Sequence, residues 1–267
     1  MVLLMSKTKL KSVSWRNNPL KDVDCPSGPL FHPCCGDDTF IPIVLFLNKI
    51  SEFHFVDTNR IIRLPKPSCI TDEHKSPSER SPGLSSNVGE IPKNRISSTS
   101  YSMDFSPSWT IGGRKPINKL GFGSINPVTK IHEDIWELTD SRQKINIFRY
   151  RQDGALIFLK MDEIAVFYYT HDSYGEGGSN QWWLGPALFN LVLDKLMDGG
   201  IIVTDGSNFQ EGMEDVEWRN LRRICRHAPK SDLTGSADFT YRNRNFKNLT
   251  SWNDRESIVS TWKVTKS

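Results

Sequence analysis

Apolar residues come in short blocks separated by long polar stretches, and the spacing within each block predicts an element. In "GPLFHPCCG", Leu30 and Phe31 form a short buried strand that runs into a turn at a lone glycine, Gly36. The next block, "TFIPIVLFLNKI", is apolar on nearly every face, as a helix packed on a sheet would be. Thr39 stands at its N-cap, and Pro42 falls in the first turn, where proline is tolerated. "EFHFVD" then reads as a second strand that ends in an acid, Asp57. Strand, helix and strand within about thirty residues predict a βαβ unit, with parallel strands and a right-handed crossover.

From Pro65 to about Thr129 the composition shifts to Ser, Pro, Gly, Lys and Arg. Such a stretch is too long for an ordinary connection and too poor in apolar residues for a core, so residues 66–128 are expected to form an irregular insertion. Regular patterning resumes at "IHEDIWELTDSRQ", where Ile131, Ile135 and Leu138 at helical spacing predict a helix. "KINIFRY" and "ALIFLK" predict two strands joined by the turn "RQDG". The continuous apolar run "IAVFYYTHD" predicts a fully buried strand. The helix "WWLGPALFNLVLDKLMDGG" and the strand "IIVTDGSN" make a second crossover, with "DGG" as the helix stop. "VEWRNLRRICRHA" is a further amphipathic helix, and "ADFTYRNRNFKNL" with "ESIVSTWKVTK" predicts an antiparallel terminal hairpin. Residues 1–20 are polar and basic and read as an N-terminal extension, leaving residues 21–267 as a single domain. Two crossovers and a terminal hairpin predict an α/β fold: a mostly parallel seven-stranded sheet with helices on both faces and an antiparallel C-terminal hairpin.

Composition narrows the class. Hydrophobic residues make up 37% of the 267 positions and charged residues 24%, as expected of a globular domain. No run approaches a spanning helix, and "MVLLM" is too short for an export signal, so a cytoplasmic protein with no membrane partner is expected. The five cysteines are an odd number, with Cys34 and Cys35 adjacent and no CxxC pair; reduced thiols and no structural metal are expected. A net charge of +3 permits an anionic partner without requiring one.

Candidate chemistry gathers where the proposed parallel strands end, the edge at which open α/β sheets bind ligands. A carboxylate at the end of the second strand can accept from both hydroxyls of a ribose, and a tight glycine turn lets a ligand approach the backbone. Asp57 is therefore a candidate nucleoside ligand, beside the alternative that it merely begins the turn "DTNR". "THDSYGEGGSNQWW" concentrates Asp172, Glu176, three glycines and Ser179 between a strand and a helix. Its glycines allow backbone N–H groups to converge on an anion, and Asp172 or Glu176 can act as a general base. The alternative is a turn in which Ser179 or Asn180 caps the helix. Trp182 and Trp183 either line a pocket for a planar substrate or pack in the core.

Element order over residues 28–64 and 129–267 resembles the class I S-adenosylmethionine-dependent methyltransferases, a Rossmann-like superfamily whose sheet ends in an antiparallel hairpin. The resemblance implies S-adenosyl-L-methionine as cofactor. It places the methionine end at Cys35, Gly36 and Asp37, the ribose at Asp57, and the reacting methyl group beside the loop from His171 to Ser179. The methyl acceptor, a small molecule or a nucleic acid, does not follow. Gly36 stands alone where the family usually has several glycines, and no Asn- or Asp-Pro-Pro-Tyr segment occurs. A second reading therefore stays open, a non-catalytic Rossmann-like protein that binds a nucleotide or nucleic acid. "RNRNFK", with Arg242, Arg244, Lys247 and Phe246, supports it. A serine hydrolase lacks its G-x-S-x-G elbow, and a dehydrogenase its G-x-G-x-x-G turn.

Overall fold

A computed structural model describes residues 2–10, 18–36, 38–57, 62–64, 130–138, 143–170, 182–207, 221–224, 238–254 and 257–267. The expected insertion, residues 66–128, lies outside them.

In chain order the strands are β1 (Val2–Leu10), β2 (Leu30–Pro33), β3 (Glu52–Asp57), β4 (Lys130–Leu138), β5 (Lys144–Arg151), β6 (Ile164–Tyr169), β7 (Leu196–Thr204), β8 (Phe239–Tyr241), β9 (Arg244–Asp254) and β10 (Ser257–Lys266). The helices are α1 (Phe40–Phe46), α2 (Gly154–Lys160) and α3 (Pro186–Lys195), with a 3₁₀ turn at Leu221–Ile224. All ten strands join one sheet in the order β1-β4-β5-β3-β2-β6-β7-β10-β9-β8.

This corrects the expected architecture. Among the described residues the sheet has ten strands rather than seven, and it is mixed. Five pairings are parallel (β1/β4, β2/β3, β2/β6, β3/β5, β6/β7) and four antiparallel (β4/β5, β7/β10, β9/β10, β8/β9). The described helices have 7, 7 and 10 residues. At 1.5 Å per residue they are about 10–15 Å long, whereas ten strands spaced by about 4.8 Å span over 40 Å. The fold is accordingly strand-rich: the three short described helices cover only part of the sheet, and the helix-rich layers expected of a Rossmann-like domain are not found among the described residues.

Two misread segments account for part of the difference. Residues 131–138, expected to be helical, form β4 between β1 and β5. There Trp136 and Asp134, two apart, are both buried, the period of a strand. "ALIFLK", expected to be a strand, is α2. Asp153 initiates it, its carboxylate accepting from the N–H groups of Ala155 (2.8 Å) and Leu156 (3.4 Å). Part of the N-terminal extension also joins the sheet, as edge strand β1. Further along, Asn18 donates to the Leu45 carbonyl at 2.9 Å, seating Leu20 in the core over α1.

Other expected elements are present. β2, α1 and β3 form the first βαβ unit, and β6, α3 and β7 the second, each with parallel strands. The "DGG" stretch does not stop the helix; it lies within β7, where Gly199 takes φ +73° and the β6/β7 register shifts. β9 and β10 pair antiparallel as expected. Arg242 and Asn243, at φ 45° and 57°, turn β8 into β9, the two left-handed residues of a tight hairpin. One core cluster joins α1 to Phe53, Phe55, Ile145 and Ile147. A second joins α2 and α3 to Phe31, Val56, Phe167 and Ile202.

Candidate functional site

Strand order creates the site. From β2 the first crossover leads to β3 on one side, while β6 and then β7 lie on the other, so crossovers diverge between β2 and β6. Loops leaving adjacent strands in opposite directions open a crevice at their C-terminal ends.

The loop after β2 folds back on the edge of β3. Cys35 N–H donates to the Val56 carbonyl at 3.1 Å, prolonging the parallel ladder, and Asp38 N–H donates to the Cys35 carbonyl at 2.8 Å. Cys34 and Gly36 both take left-handed φ, 55° and 53°. The turn at Gly36 aims its N–H at Asp57, whose Oδ2 accepts it at 3.1 Å. Gly36 and Asp57, 21 positions apart in sequence, are thus in contact.

At the end of β6, the Thr170 hydroxyl donates to Asp38 Oδ2 at 3.3 Å, tying the loop after β2 to that strand end. Asp205 follows β7; although buried, it accepts from Ser207 N–H (2.9 Å) and Ser207 Oγ (2.6 Å) in a tight turn. Sequence reasoning missed Asp38, Thr170 and Asp205. The signal that singled out Asp57, an acid directly after an apolar strand, is also present in "IIVTD".

Of the residues expected here, Cys35, Gly36 and Asp57 come together. Asp37, His171, Asp172, Glu176 and Ser179 lie outside the described residues. Trp183 is fully buried, packed on Phe31, Phe158 and Phe167 at centroid distances of 5.5–5.8 Å, and belongs to the core. The basic stretch of the hairpin is structural in part. Arg244 donates to the Leu193 and Leu196 carbonyls (2.8 and 3.4 Å), closing the C-terminus of α3, and Phe246 is buried against Phe239. Among the described residues, no group of three His, Cys, Asp or Glu side chains is gathered as a metal site, and no helix is long and apolar enough to cross a membrane.

On the face beneath α2 lies a second polar group that sequence reasoning did not foresee. His54 Nε2 is 2.6 Å from Glu52 Oε1, and His54 Nδ1 is 3.0 Å from the Tyr150 hydroxyl. The bond to His54 holds the Glu52 carboxyl below its ordinary range, against a smaller opposing effect of burial. Burial, and then the nearby Glu52 charge, pushes the Tyr150 phenol up.

Compared with known proteins, the chain matches no protein-family model, no curated protein and no solved structure.

Proposed function

We propose that the crevice at the C-terminal ends of β2, β3, β6 and β7 binds S-adenosyl-L-methionine, and that the protein transfers its methyl group to an acceptor. The observation that carries this reading is the Gly36–Asp57 contact: a left-handed turn and a strand-end carboxylate joined at 3.1 Å beside the divergence of the crossovers. A carboxylate at a strand end is the group type that accepts from ribose hydroxyls, and the Gly36 turn leaves backbone where a side chain would otherwise stand.

Charge favours this ligand over a nucleotide. The described side chains at the crevice include three acids, Asp38, Asp57 and Asp205, and Arg151 lies beside Asp57 in the β3/β5 register. Carboxylates attract a sulfonium and an ammonium and repel a pyrophosphate. When bound, the cofactor supplies an activated methyl group on a sulfonium, with a neutral thioether as leaving group. The chain's part is then to align donor and acceptor and to take a proton from the acceptor, the role assigned to Asp172 or Glu176.

The test incubates the protein with methyl-labelled S-adenosyl-L-methionine and separate pools of small metabolites and RNA. Label should move into one pool and be lost with Glu176→Gln combined with Asp172→Asn. Binding of the cofactor with no label transfer to either pool would instead support the non-catalytic reading.

A further inference from the structure

Under α2, away from the crevice, the Glu52–His54–Tyr150 chain faces a cavity of about 570 Å³. Its protons can be assigned from partner chemistry. Glu52 is held in its carboxylate form by the bond to His54 and only accepts, so His54 Nε2 carries the hydrogen. In the neutral imidazole His54 Nδ1 is then the acceptor, and the Tyr150 hydroxyl donates to it. Burial keeps that hydroxyl protonated. With the imidazole neutral, Tyr150 turns only lone pairs toward a ligand. Ile131, Ile157 and Met161 supply apolar wall, and at the rim Asp162 and Glu163 outnumber Lys160.

The geometry points to a second binding site here, for a small organic amine in its ammonium form carrying an apolar body. Tyr150 accepts the ammonium hydrogen through its oxygen. The pocket combines an apolar wall with convergent polar and acidic groups, the mixture that holds an amphipathic small molecule by its charged end. His54 acts as a positioning residue, since its bond to Glu52 fixes the ring and thereby the direction of the Tyr150 hydroxyl. Nothing in this inference rests on cofactor binding at the crevice.

The experiment is calorimetric titration of the full chain with tryptamine, and with indole-3-acetate as an anion of similar shape. Tryptamine should bind and indole-3-acetate should not. Tyr150→Phe keeps the ring and the fold but removes the acceptor oxygen, and should weaken tryptamine at least five-fold. Glu163→Gln, at an exposed rim position, should weaken it two- to three-fold, and Asp57→Ala should leave it unchanged. Absence of tryptamine binding, equal binding of indole-3-acetate, or wild-type affinity in both Tyr150→Phe and Glu163→Gln would overturn the proposal.

Discussion

Asp57 does two things in this account, and substitution separates them. Its Oδ2 accepts the Gly36 N–H at 3.1 Å, a bond to a charged acceptor of the kind that contributes about 1.5–3 kcal/mol. Asp57 is half-buried, so screening by solvent brings the expected loss in Asp57→Ala to about 1–2 kcal/mol. For a domain of this size that lowers the melting temperature by roughly 2–4 °C. Asp57→Asn keeps an oxygen that accepts the Gly36 N–H and should cost less than half as much. Toward a ribose diol the two variants behave alike: asparagine has one acceptor oxygen instead of two and no charge, so both should weaken the cofactor by about 1–3 kcal/mol. Scanning calorimetry reads the first effect and ligand titration the second. If Asp57→Asn matches wild type in affinity while Asp57→Ala lowers both affinity and melting temperature, Asp57 is a tether for the loop and not a ligand.

Three further outcomes follow from the packing. Arg149→Met leaves Asp134 buried without the guanidinium that now lies at 2.7 Å and breaks the bond to the Ile62 carbonyl; urea unfolding should show a loss of about 3–5 kcal/mol, with much of it recovered in Arg149→Met/Asp134→Leu. Asp153→Ala removes the cap of α2 and should cost about 1 kcal/mol, while Asp153→Asn should cost little. Because the folded state lowers the Glu52 pKa from 4.5, its charge stabilises the fold above that value, and this contribution fades as pH falls through the lower folded pKa. Unfolding free energies of wild type and Glu52→Gln should therefore differ at pH 6 and converge progressively as pH falls below 4.5. The gap should be a few tenths of a kcal/mol, because the Glu52 side chain is 40% exposed.

What could be read in the chain beforehand was local. The first βαβ unit is legible because Leu30–Phe31, the apolar helix and "EFHFVD" are continuous in sequence, and the Gly36–Asp57 contact follows from that unit alone. β4 was misread because Ile131 and Ile135 satisfy a period of four residues, which fits a helix and alternate strand positions equally; its partners β1 and β5 decide, and β1 is over a hundred positions away. "ALIFLK" is too short for periodicity to separate a strand from a helix, and the deciding signal was the cap at Asp153, read instead as part of a turn. The His54–Tyr150 contact joins residues 96 apart. It depends on the β3/β5 register, which no local pattern encodes.

The most direct test of cofactor binding at the crevice is calorimetric titration of the purified protein with S-adenosyl-L-homocysteine and S-adenosyl-L-methionine, with NAD and ATP as controls. The account predicts one site for each of the first two, no heat of binding for NAD or ATP, and loss of affinity in Asp57→Asn. No binding of either sulfur compound, or tighter binding of NAD or ATP, would contradict it.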